Sequence, residues 1–312
     1  MPSLAVLAQP QVRFDELSKS PALVGTEFGG ALTRRSIIVR DWKDYHLFSL
    51  ETNSWEKIEF PDQQLRKLHS KGWITCAYLP TFGKVITMGE EIEVLDLQKL
   101  TVSYYPVDGT APVPGGAVVS NEKVYLLGSS FKLDLEPSTR NNPWIPQRVV
   151  VPTAYFLVFD PATLRFDVLD TLLGPHFRIG AFAGEKLYAF GPRNLPVPAT
   201  DVIRYDPALN EWDSVTQLPV QVGAVAELNG MLYLLGLDQD KGFLIRWNPR
   251  TGDWKQWRTN VPWTHGLAYI HKNRLYYLAG MKKNPQVRDV FFRHQRWLDR
   301  RMYALDLEKL PP

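Results

Sequence analysis

Hydrophobic residues in this chain fall in short alternating runs, separated by clusters of Gly, Pro, Asn and Asp, and the runs recur in a fixed order. Six times a run ends in a hydrophobic residue followed by an Asp-like one: Phe48-Ser49, Leu95-Asp96, Phe159-Asp160, Tyr205-Asp206, Trp247-Asn248 and Leu305-Asp306. In four of these copies a large aromatic stands six positions further on, at Trp55, Phe166, Trp212 and Trp254. Upstream of five copies, a second hydrophobic run closes on glycine, at Gly89, Gly128, Gly191, Gly236 and Gly280. Self-similarity at this spacing is the signature of a repeat architecture.

The period-2 alternation resolves each repeat into four strands, a to d. In the fifth repeat, Gly223–Leu228 is strand a, Asn229-Gly230 a tight turn, Met231–Leu235 strand b, Phe243–Trp247 strand c and Trp254–Trp257 strand d. The Asn-Pro-Arg-Thr-Gly-Asp stretch between c and d is turn chemistry, and the aromatic after it is expected to pack between neighbouring sheets. The same pattern covers 24–60, 69–107, 114–173, 176–219, 220–260 and 263–310. Six four-stranded units predict an all-β chain folded as one six-bladed β-propeller domain over 1–312. The last unit lacks a strand d. Val12-Arg13-Phe14-Asp15-Glu16-Leu17 matches strand d of the third unit, Leu164–Leu169, so residues 12–17 are expected to complete the final blade.

The repeat resembles kelch, whose units carry a hydrophobic strand ending in Gly-Gly, a Tyr-Asp-Pro turn and a downstream Trp. The match is clearest at 205–212 and 247–254 and weak at 95–102 and 303–310. The second glycine is replaced throughout, by Glu90, Ser129, Pro192, Leu237 and Met281. This marks a divergent member, and the resemblance implies a binding module of the propeller class.

Composition narrows the function by exclusion. The net charge of +3 is small for 312 residues and gives no reason to expect a nucleic-acid or membrane partner. The single cysteine, Cys76, excludes an internal disulfide framework and reads as a small buried hydrophobe in a reduced compartment. The N-terminal MPSLAVLAQPQVRF has no secretory pattern, and no apolar run approaches the roughly 18 residues of a membrane helix. A cytoplasmic monomer without cofactor or metal is expected. No Gly-x-Ser-x-Gly, Gly-x-x-x-x-Gly-Lys or His-Glu-x-x-His motif occurs.

Because strand direction alternates, the b–c and d–a loops share one face of the disk. Two b–c connections are long, from Gly128 to Asp160 and from Gly280 to Asp306. The first insertion carries Arg140, Trp144 and Arg148; the second carries Arg288, Arg293, Arg296, Arg300 and Arg301 around Phe291, Phe292, His294 and Trp297. Arginine with aromatics suits carboxylate, phosphate or flat-ring recognition, though the same residues also fit a short amphipathic helix or an extended strand on the rim. Aligned on their Gly/Ala pairs, the units place Phe28, Trp73, Pro114, Arg178, Gln221 and Thr264 at the channel mouth, with Glu27, His176, Trp263 and His265 beside them. The predicted ligand-binding set is therefore Glu27, Phe28, Trp73, Trp144, Arg178, Gln221, Trp263, His265, Arg293 and Trp297, taking a protein, peptide or small ligand. The alternative is an enzyme of cyclase, isomerase or lyase type on a small apolar or aromatic substrate. There His176 or His265 would be the general acid/base and Arg178 would stabilise developing negative charge.

Overall fold

A computed structural model describes residues 10–21, 29–41, 43–60, 65, 75–88, 91–106, 114–135, 148–170, 177, 179–191, 200–238, 241–261, 266–279, 281–282, 297–298 and 301–311. Six four-stranded blades follow one another around a ring. Blade 1 comprises Gly29–Leu32, Ser36–Arg40, Tyr45–Ser49 and Ser54–Lys57 as strands a to d. Blade 2 comprises Thr75–Leu79, Lys84–Met88, Glu91–Asp96 and Thr101–Pro106. Blade 3 comprises Pro114–Ser120, Lys123–Leu135, Arg148–Asp160 and Arg165–Val168. Blade 4 comprises Ile179–Ala183, Lys186–Gly191, Asp201–Asp206 and Glu211–Gln217. Blade 5 comprises Gln221–Leu228, Met231–Asp238, Lys241–Trp247 and Trp254–Thr259. Blade 6 takes a to c from Gly266–His271, Arg274–Ala279 and Met302–Asp306. Strand a of every blade touches strand a of the next, and blade 6 returns to blade 1, so the a strands line the central channel.

The Asp-like residue of each repeat has a common physical role: its side chain closes the turn from c to d. The side-chain oxygens of Asp96, Asp160, Asp206 and Asn248 each accept the backbone N–H two residues on. Ser49 accepts from Thr52, and Asp306 caps the 3-10 turn Leu307–Lys309 through Glu308 N. Such turns are why Asp, Asn and Ser recur at that position. The aromatic beyond the turn follows expectation at Trp212, which is 8% exposed and lies 4.9 Å from Phe156 of the neighbouring blade. It does not at Trp254, which is 48% exposed. In blade 5, Trp257 is the buried indole, beneath the Arg246 guanidinium at 6.0 Å.

The N-terminal segment closes the ring, as the repeat count implied. Asp15–Glu16 is strand d of blade 6, antiparallel to its strand c through Asp15↔Ala304 and Glu16↔Tyr303. The segment also does something the repeat did not announce. Gln11–Val12 runs parallel to strand d of blade 5, as a fifth strand, through Gln11↔Arg258 and Val12↔Thr259. Between the two pairings, Asn260 grips the Phe14 backbone from both sides: its Oδ1 accepts Phe14 N at 2.8 Å and its Nδ2 donates to Phe14 O at 3.0 Å. The Phe14 ring is buried in a core shared by blades 5 and 6, with Tyr233, Trp257, Tyr277 and Tyr303. Further on, Ser18 bonds Asn53 and Trp55 of blade 1. Among the described residues, no helix is long and apolar enough to cross a membrane.

Candidate functional site

The two long b–c connections begin as extensions of their blades. In blade 3, strands b and c stay paired from Val124↔Phe159 out to Leu135↔Arg148, whereas strand a stops pairing at Pro114↔Gly128 and strand d begins at Leu157↔Val168. The outer part is therefore a two-stranded ribbon that continues the b–c hairpin beyond the disk. In blade 6, Met281–Lys282 pairs with Trp297–Leu298 just beyond the b–c rung Leu278↔Met302, so a second ribbon starts there. Of the two conformations that the sequence left open, extended strand is the one adopted at both bases. Blades 3 and 6 are separated by two blades in either direction, so the ribbons rise from the same face on opposite sides of the channel mouth.

Of the residues placed at that mouth from sequence, Pro114 and Gln221 are described and Thr264 is not: Pro114 begins strand a of blade 3, opposite Gly128, and Gln221 begins strand a of blade 5, opposite Leu237, and is partly exposed. Trp297 begins the returning strand of the blade 6 ribbon, opposite Lys282. Glu27, Phe28, Trp73, Trp144, His176, Arg178, Trp263, His265 and Arg293 lie outside the described residues. Among the described residues, no group of three or more His, Cys, Asp or Glu is placed to hold a metal ion.

Beneath the same face, between blades 1 and 2, lies a polar cluster that the repeat pattern did not reveal. Apart from Ser20, every buried polar or charged residue among those described belongs to these two blades. Arg40, at the end of strand b of blade 1, and Glu93, in strand c of blade 2, are both fully buried. Arg40 Nε donates to Glu93 Oε2 and Nη2 to Glu93 Oε1, each at 2.8 Å, a bidentate pair that crosses the seam between blades. Nη1 donates to Asp41 O, and the guanidinium carbon lies 4.9 Å from the Tyr45 ring centre. The Tyr45 hydroxyl donates to Glu93 Oε2 at 3.1 Å and meets Thr87 Oγ1 at 2.8 Å. Desolvation, and then the Glu93 charge, hold its ionisation well above the usual phenol range. Burial likewise pushes the Cys76 thiol up to about 12, against a weaker lowering by its contact with Thr87. Cys76 is thus a protonated, buried group.

This cluster fixes the short b–c turn of blade 1. Asp41 Oδ1 accepts from Lys43 N and Asp44 N, while Asp41 Oδ2 lies 3.3 Å from His46 Nε2. Register identifies the departure from the repeat. The place of Arg40 is held by Met88, Leu127, Phe190, Leu235 and Leu278 in the other blades, and that of Glu93 by Leu157, Ile203 and Ile245 in blades 3 to 5. Glu91-Ile92-Glu93-Val94 reads as an ordinary half-exposed strand. In a propeller both faces of a central strand are covered by neighbouring blades, so the alternate Glu is driven inside, where Arg40 meets it.

Comparisons with known proteins bear on the fold and the repeat. No protein-family model matches the chain. Kelch repeat and BTB domain-containing protein 8 of Danio rerio is 33% identical over 108 residues, a stretch that is 32% of this chain and 17% of that protein. The chain thus spans less than a fifth of that relative's length. The solved structure of YjhT superposes with a TM-score of 0.58 over 86% of this chain and 94% of its own, at 12% identity, which shows a shared fold.

Proposed function

We propose that this divergent kelch-repeat propeller is a binding module that seats a protein or peptide on the face of its b–c and d–a loops, between the ribbons of blades 3 and 6. The observation that carries this reading is the placement of the ribbons. The b–c connection of blade 2 closes within three residues, from Met88 to Ile92. Blades 3 and 6 instead extend theirs, on one face and across the mouth from each other. Long connections on a rigid scaffold are where recognition is usually built. A cytoplasmic setting is part of the proposal, supported by a lone cysteine that is buried and protonated. The enzymatic alternative depends on His176, Arg178 and His265, which lie outside the described residues.

The test removes the ribbons and leaves the ring. Ser130 and Thr153 are cross-strand partners, as are Met281 and Leu298. Replacing 131–152 and 282–297 each with Asn-Gly supplies a two-residue hairpin turn at both places. Full-length and shortened chains are then used side by side to capture proteins and metabolites from the native host. The shortened chain is expected to melt within a few degrees of the parent, on the order of 1 kcal/mol, and to lose the proteins the parent retains. The same captured proteins with both chains would overturn the reading. A metabolite retained equally by both chains would turn attention to the channel mouth.

A further inference from the structure

The blade 3 ribbon leaves a sheet edge open at the rim of the channel. Among the described residues, none pairs with 129–135 on the strand a side or with 148–155 on the strand d side. A free edge presents a row of backbone N–H and C=O groups that a further strand satisfies. A ribbon of only two strands is marginal in water, whereas three strands are self-supporting. The two edges differ. The outer one belongs to the strand containing Pro152, which has no N–H to donate, and proline is a usual device for blunting an edge. The inner one, Ser129-Ser130-Phe131-Lys132-Leu133-Asp134-Leu135, has neither proline nor glycine. It continues past the end of strand a, the strand nearest the channel, and so borders the mouth.

Charge specifies what kind of strand would be drawn there. Residues 282–301, which form the connection in blade 6, hold seven Lys and Arg against two Asp, a balance of +5. The whole chain carries +3, so the rest of the molecule is at −2 and the positive charge is concentrated in the b–c connection of blade 6. We propose that the inner edge of the blade 3 ribbon, Ser129–Leu135, takes up an extended segment of a partner protein with acidic flanking residues as an added β-strand across the channel mouth. This inference rests on the face assigned under the proposed function and defines the ligand's backbone conformation. Seven residues of edge span about 23 Å at the rise of an extended strand. Main-chain bonds supply affinity along that length, alternate side chains supply selectivity, and the basic connection attracts the acidic flank in a salt-dependent way.

The experiment pans a display library of linear peptides against the full chain and takes the tightest binder as the probe. Two further versions of the probe are N-methylated at alternate backbone positions, one at odd residues and one at even. Strand addition uses only every second amide of the incoming chain. One version is therefore expected to bind at least tenfold more weakly and the other within about twofold of the parent, about 1.4 kcal/mol separating a tenfold change. Hydrogen exchange should slow at amides within 129–135 when the probe is bound, and affinity should fall as salt rises. Equal binding by both methylated probes, or a library that yields no binder, overturns strand addition. If those probes still lose binding when 131–152 is replaced by Asn-Gly, the face assignment survives without the added strand. If the parent probe binds the folded shortened chain unchanged, the face assignment falls as well. A dimer of the free chain that disappears with Leu133→Pro would name a second copy as the occupant of the edge and overturn the partner peptide.

Discussion

Arg40 and Glu93 occupy core positions where blades 3 to 5 use aliphatic or aromatic side chains, and they meet each other there as a bidentate ion pair. A buried ion pair gains little over a packed apolar pair, but removing one partner leaves an uncompensated charge and costs about 3–5 kcal/mol. Glu93→Leu is expected to lower stability by about that amount in a urea titration, with Arg40→Leu/Glu93→Leu recovering more than half of the loss. The Tyr45 hydroxyl keeps Thr87 as its partner in both variants. A double variant as unstable as the single one would show that the pair is not the source of the cost. A second residue-scale effect sits in the c–d turns. The fourth residue after the Asp-like position is left-handed in five blades: Asn53, Leu100, Leu164, Asn210 and Gly252, with φ from 52° to 81°. Asn and Gly tolerate that conformation, whereas leucine pays roughly 1–2 kcal/mol for it. Leu100 and Leu164 are 43% and 38% exposed, so packing returns little. Leu164→Asn and Leu100→Asn are each expected to raise stability by about 1 kcal/mol, read as a higher urea midpoint with an unchanged slope; a lower midpoint would refute the account.

Strand a of blade 1 shows how closely the elements of the ring are fitted. A Cβ added at Gly29 would stand 2.7 Å from the backbone N of Cys76 and 2.8 Å from the backbone of Thr75, on strand a of blade 2. Backbone atoms cannot rotate aside, so Gly29→Ala must push two blades apart. Its expected cost is about 1–3 kcal/mol, and a melting temperature equal to the parent's would contradict that packing. At this scale most of the architecture was legible. Hydrophobic alternation located the four strands of blade 5 to within three residues at their ends, and the Asp-like residues marked every c–d turn because their side chains make those turns. The ribbon of blade 3 was legible only as a length of chain. Phe131–Leu135 and Arg148–Pro152 lack the repeat's turn chemistry, and their pairing depends on a register set by the blade below. Gln11–Val12 is too short to show a period, and its parallel partner lies almost 250 residues away. The Arg40–Glu93 pair was missed for a different reason: period-2 alternation locates a strand face without saying whether water or another blade covers it.

The whole ring depends on a closure made by one short segment. Residues 10–18 add a fifth strand to blade 5, complete blade 6 and reach blade 1, so three consecutive blades share a single staple. A six-bladed ring without it would expose the free edges of blades 5 and 6 and open the core that holds Val12 and Phe14. Deleting residues 1–20 is therefore expected to lower the melting temperature sharply and to broaden the transition as the blades lose cooperativity. Aggregation could obscure that result, and a point variant separates the two. Asn260 is joined to the segment solely through its two hydrogen bonds to the Phe14 backbone among those described, so Asn260→Ala leaves every strand intact. Two lost bonds at a half-buried site are worth about 1–3 kcal/mol, and Phe14→Ala about 3–5 kcal/mol from the emptied core. Because both act on the same segment, the double variant should cost less than the sum of the two. Hydrogen exchange locates the effect: amides of Met302–Asp306 and Trp254–Thr259, which border the staple, should lose protection well before those of blade 3. Uniform loss of protection around the ring would mean that closure is shared by all six seams and that the N-terminal staple has no special part in it.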